Sequence, residues 1–119
     1  PATGRLCPDF GNGGTVDLTV GLGEILPGWY YPTSPPAIVA DVAIIGAWVM
    51  DNQSNDEPPG VVRAYDVKTG KLRWSFHTIP HPGEPGHETW PPDAWKIAGG
   101  ANAWAGVQAV TPDGTRSRC

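Results

Sequence analysis

Cationic residues are scarce in this sequence. Eight lysines and arginines face twelve aspartates and glutamates in 119 residues, giving a formal net charge of -4 and a pI near 5.1. No basic patch results, which argues against nucleic acid as a partner. Long apolar runs are missing too. None approaches the ~20 residues a membrane-spanning helix needs, and no signal-peptide pattern is present. Cysteine is limited to Cys7 and Cys119, near opposite ends. Their spacing fits neither a zinc site nor a Cys-x-x-Cys redox pair, and nothing in the sequence brings them within disulfide distance, so two separate thiols are expected. An initiating methionine is also missing. The chain starts at Pro1 and reads as an excerpt of a longer protein, at most one domain.

Glycine and proline are abundant instead, 16 and 14 residues, a proportion at which low complexity competes with folding. Six tryptophans and several β-branched runs argue for the folded alternative, with short strands joined by long loops.

The run Val61 to Phe76 organises the chain as strand, turn, strand. Val62, Ala64 and Asp66 share one face of the first strand, and Leu72, Trp74 and Phe76 share one face of the second. Between them, Val67-Lys68-Thr69-Gly70-Lys71 is turn chemistry. Gly70 is free to take positive φ, and Asp66 and Thr69 are placed to bond the turn's backbone.

Upstream, Thr3-Gly4 repeats the Thr-Gly punctuation of that turn, and Gly11 to Gly14 forms another turn. Val16, Leu18 and Val20 alternate with polar residues and predict a short strand. Gly21 to Tyr31 is loop-like but carries enough apolar residues to pack. Pro32-Thr33-Ser34-Pro35-Pro36 stops regular structure and leads into strand 37–40. Asp41 makes a tight return, and the nearly continuous apolar run of strand 42–49 predicts burial on both faces. With strands 60–66 and 72–77 this makes four antiparallel strands, the size of one β-propeller blade.

From His77 to Gly100 a long loop is expected. His77, His81 and His87, with Glu84 and Glu88, invite a metal reading. Pro80 and Pro82 exclude the helix on which His77 and His81 would lie side by side, and no His-Glu-x-x-His pattern is present, so zinc is disfavoured. In Gly99-Gly100-Ala101-Asn102-Ala103-Trp104, small residues flank one large aromatic. A flat partner could approach that ring closely, or the ring could close a sheet as ordinary core.

The string Ala64-Tyr65-Asp66-x-x-Thr69-Gly70-x-x-x-Trp74 resembles the tryptophan-docking repeat of quinoprotein dehydrogenases. Together with Thr3-Gly4, Pro32 to Pro36, Asp51-Asn52, His87-Glu88-Thr89-Trp90 and Gly99 to Trp104, the chain to about Gly106 is similar to the quinoprotein glucose dehydrogenases. The resemblance implies an all-β fragment of an eight-bladed β-propeller. Residues 1–10 would end one blade, 32–77 would form a whole blade, 78–106 would be a long loop and the start of the next, and 107–119 a divergent tail. It implies oxidation of a sugar or alcohol by hydride transfer to pyrroloquinoline quinone, with Ca2+ or Mg2+, and electrons passed to a quinone or cytochrome acceptor. It also implies a periplasmic or inner-membrane setting and the remaining blades as partners. Trp104 would stack on the quinone, Thr33 would contact it, and Asp51 would supply a carboxylate to the metal ion. The family's general-base aspartate lies beyond the matched segment, so no catalytic residue is assigned in this chain. Two other readings compete: a secreted carbohydrate-binding module gripping sugar rings through Trp29, Trp90 and Trp95, and a cofactor-free propeller repeat used as an interaction surface.

Overall fold

The computed structural model describes residues 3–54 and 56–113. Its elements in chain order are β1 (Tyr30–Tyr31), β2 (Ala37–Val39), β3 (Val42–Ile45), β4 (Trp48–Val49), β5 (Val61–Asp66), β6 (Leu72–His77) and the one-turn helix α1 (Ala94–Ile97). A 3-10 turn covers His87–Thr89. Strands β2, β3, β5 and β6 form one antiparallel sheet in sequence order, the topology of a propeller blade.

The β5–β6 hairpin follows from local chemistry. Gly70 sits at φ 70°, where a side chain would be strained. The Oδ1 of Asp66 accepts from the backbone N–H groups of Lys68 (3.0 Å) and Thr69 (2.8 Å) and from the Thr69 hydroxyl (3.0 Å). These bonds, led by the Thr69 N–H, hold the Asp66 carboxyl below its ordinary pKa. Pairing sets Ala64 opposite Trp74 and Val62 opposite Phe76. The turn is also an anchor: Gly11 N–H donates to the Thr69 carbonyl at 2.8 Å, docking the N-terminal segment on it.

Three expectations need correction. The run 42–49 is not one strand. β3 ends at Ile45, and Trp48–Val49 leaves the blade to pair with Tyr30–Tyr31. The break lies at Gly46, where a Cβ would meet the Ala103 carbonyl oxygen at 2.1 Å, so the chain at this point is shaped by a distant segment. β3 is accordingly half-buried along its length rather than enclosed on both faces. Residues 16–20 form no strand and turn from residue 18 on, because Asp17 Oδ1 accepts from Thr19 N–H (2.8 Å) and Oγ1 (2.7 Å) and outcompetes the apolar alternation. The loop 77–100 is not featureless: besides its two helical turns it buries Ile79 and Ala94.

The core is small. Val49 and Ala64 are fully enclosed, with Leu22, Ala37, Ala47, Val61 and Tyr65 around them. Arg63 is buried among these, and its guanidinium donates to the Leu18 carbonyl at 2.7 Å, tying residues 16–22 to the blade. Cys7 is exposed, and Cys119 lies outside the described residues. No described helix is long and apolar enough to cross a membrane.

Candidate functional site

In an antiparallel meander, the start of β2, the end of β3, the start of β5 and the end of β6 share one edge. Residues 99–104 cross that edge. Gly60 N–H donates to the Gly100 carbonyl (2.8 Å) and Gly100 N–H to the Pro58 carbonyl (3.0 Å). The crossing is possible because the facing positions lack side chains. A Cβ on Gly60 would meet Gly100 O at 2.3 Å, and one on Gly99 would meet Glu57 O at 2.0 Å. Gly100 and Ala101 follow each other at φ 72° and 49°, which turns the chain sharply before Trp104.

Thr33 and Trp104 are brought into contact. The Thr33 hydroxyl donates to the Trp104 carbonyl, and Ser34 Oγ donates to the same oxygen at 3.3 Å. Two hydroxyls on one carbonyl fix the backbone of Trp104, while the residue stays 57% exposed. Asp51 reaches the same region from the end of β4. Its Cβ lies 3.8 Å from where a Gly100 side chain would begin, and its Oδ1 accepts from Asn52 Nδ2 at 3.0 Å. One carboxylate oxygen is thus engaged locally and the other has no hydrogen-bond partner among the described residues, leaving an oxygen donor of the type a hard cation prefers.

Glu57 was not singled out in the sequence, yet its Oε2 lies 3.7 Å from the same Gly100 position, and its Oε1 caps the 52–57 loop by accepting from the N–H groups of Gln53 (2.7 Å) and Ser54 (3.2 Å). Nothing local in the sequence marks it; the signal is Gly99, whose missing side chain admits the Glu57 backbone. The loop histidines gather at the end of β6, and His81 lines a cavity that Glu57 also borders. His77 and His81 stack on one another beside Glu84, and His87 Nδ1 bonds the Pro80 carbonyl at 3.0 Å. Of the three tryptophans in the carbohydrate-binding reading, Trp90 is exposed. Trp29 is half-buried, and Trp95 packs against the His81 ring at 4.8 Å.

A four-stranded antiparallel sheet in sequence order has the topology of one β-propeller blade, and the segment crossing its strand-end edge carries the exposed Trp104. The chain belongs to the PQQ glucose/ethanol/alcohol dehydrogenase β-propeller family, whose model matches residues 1–114. It is 39% identical over 117 residues to the glycerol dehydrogenase large subunit of Gluconobacter oxydans (strain 621H), covering 92% of this chain and 16% of that protein. Over 76 residues it is 49% identical to quinoprotein glucose dehydrogenase A of Acinetobacter calcoaceticus, covering 64% of this chain and 10% of that protein. Quinate/shikimate dehydrogenase (quinone) of Acinetobacter baylyi (strain ATCC 33305 / BD413 / ADP1) is 42% identical over 106 residues, covering 88% of this chain and 13% of that protein. The chain therefore spans less than a fifth of the length of these relatives. No solved structure gives a significant match.

Proposed function

We propose that this chain works as part of a complete propeller in a dehydrogenase that oxidises a sugar or another alcohol, glucose-like substrates first among them. Pyrroloquinoline quinone, when bound, would supply the two-electron, hydride-level redox chemistry. The chain's own residues bind and orient. The Trp104 indole offers a flat face for stacking without adding charge, and Thr33 holds that ring's backbone in place and lines the same surface. Asp51 supplies a carboxylate to Ca2+ or Mg2+, a hard ion suited to oxygen ligands, with the remaining ligands from other parts of the protein. We assign no general base within the chain. Electrons leave to a quinone or cytochrome acceptor in a periplasmic or inner-membrane setting.

The observation that carries this reading is the double hydroxyl anchorage of the Trp104 carbonyl, which fixes the backbone of an exposed tryptophan in the segment whose Gly100 lies against Asp51. The test is titration of the full-length apoprotein with quinone and with Ca2+ or Mg2+. Trp104→Ala is expected to weaken quinone binding while the fold persists, and Asp51→Ala to raise the metal concentration needed for reconstitution. Quinone and metal curves that match wild type in these variants would overturn the assignments.

A further inference from the structure

At the end of β6 the chain assembles three side chains that the quinone-side reading does not use. His77 ends the strand, and the turn that follows returns His81 and Glu84 to it. One ligand atom from each lies within 4.8 Å of the others. His77 Nδ1 meets Glu84 Oε1 at 2.8 Å, and the two imidazoles stack at 3.9 Å with 9° between their planes. The prolines that exclude a helix do not keep these residues apart, because a strand end and a tight turn bring them together instead.

We propose that His77, His81 and Glu84 form a binding site for a divalent transition metal of the zinc class, separate from the Asp51 region. Two imidazole nitrogens and a carboxylate oxygen are a borderline-soft donor set, suited to Zn2+ and unsuited to Ca2+ or Mg2+. Three protein ligands leave a coordination position open. The donors are held from several sides. Glu84 Oε2 accepts the His81 backbone N–H at 2.7 Å, Glu84 N–H donates back to the His81 carbonyl at 3.0 Å, and Trp95 packs on the His81 ring. Glu84 stays ionised readily, its pKa lowered first by the His81 N–H and then by His77.

The His81 imidazole carries the argument furthest. Among the described residues neither of its ring nitrogens has a hydrogen-bond partner, although the ring is half-buried between His77 and Trp95. A tether between His77 and Glu84 alone has no use for this second imidazole. Bonds of about 2.0–2.1 Å set donor atoms roughly 3.3–3.5 Å apart around a tetrahedral ion. Closure needs the side chains to draw in by about an ångström, with the ion replacing the direct His77–Glu84 contact and the ring planes tilting out of parallel. Binding requires a free lone pair on one nitrogen of each imidazole.

The test uses the full-length protein, stripped with chelator and titrated with Co2+ as a spectroscopic probe. One equivalent should bind with the intense visible absorption of a low-coordinate nitrogen–oxygen site, and Zn2+ should displace it. His81→Gln should weaken binding by more than about 100-fold, the upper end of the loss seen when merely a supporting residue is removed. Asp51→Ala should leave the signal intact, and quinone binding by His81→Gln should match wild type, so this inference and the quinone-side assignment fail separately. Wild-type protein that takes up no Co2+, an unchanged spectrum in folded His81→Gln, or a signal lost in Asp51→Ala each overturns the proposal. The wild-type titration decides even where a variant fails to fold.

Discussion

At the residue scale, glycines set the geometry of the strand-end edge more than any reactive group does. A side chain at Gly99 would stand 2.0 Å from the Glu57 carbonyl oxygen, and backbone cannot give way as a flexible side chain can. Gly99→Ala in the full-length protein should therefore cost about 1–3 kcal/mol, the range for forcing extra atoms into packed structure. Gly106→Ala is the control, since a Cβ there meets nothing within 4 Å and the midpoint of urea unfolding should stay put. Asp66 gives a pH prediction. Its carboxyl is held below the ordinary range by bonds present in the folded turn, so its contribution is in force above about pH 4 and fades as pH falls through the lowered value. Wild type and Asp66→Ala should differ in thermal midpoint at neutral pH and converge in acid. A gap that persists in strong acid would contradict the role given to the ionised carboxylate.

At the scale of elements, β6 presents Leu72, Trp74 and Phe76 at 53%, 43% and 61% exposure, an apolar face on the blade's outer strand. In a complete propeller this face would meet other elements, and Trp74→Ala should then destabilise by about 3 kcal/mol or more. A urea midpoint within error of wild type would mean that the indole stays solvated. The hairpin bearing this face was legible in the sequence because its determinants, Asp66, Thr69 and Gly70, lie within five residues. The end of β3 was not, because the interruption at Gly46 is imposed by the backbone of Ala103, far along the chain. Alternation misled at Val16 to Val20, where Asp17 and Thr19 favour a turn. Hairpin topology sets Thr33 near the end of β3, but Asp51 follows β4, which pairs with β1 outside the blade, so its place was not given by the hairpin. That the Thr33 hydroxyl bonds the Trp104 backbone could not be read, since a side chain's partner across the fold leaves no local trace. The same holds for His77, His81 and Glu84, whose proximity depends on a turn.

At the scale of the whole molecule, the described chain is wide for its length. Its radius of gyration is 15.7 Å, whereas about 13.5 Å is expected of a compact chain of this size. Extents of 50 × 38 × 23 Å and a small core describe a slab, not a closed body. The polypeptide of residues 1–119 in isolation should associate through its exposed apolar faces and show no dehydrogenase turnover with added quinone and metal. Size-exclusion chromatography and a thermal scan check this, and a monodisperse monomer with one cooperative transition would count against it.

The bonds joining Gly60 to Gly100 also imply an order of assembly. The β5–β6 turn closes over about five residues, whereas the Gly60–Gly100 pairing closes roughly 40, an entropic handicap of about 2 kcal/mol. The hairpin should therefore form early, and the crossing segment that carries Trp104 should arrive after the barrier, when the strand ends already stand in place. A ligand held by late-forming contacts slows unfolding without hastening folding. Stopped-flow refolding of the full-length protein should give the same rate with and without quinone, while its unfolding slows as quinone is added.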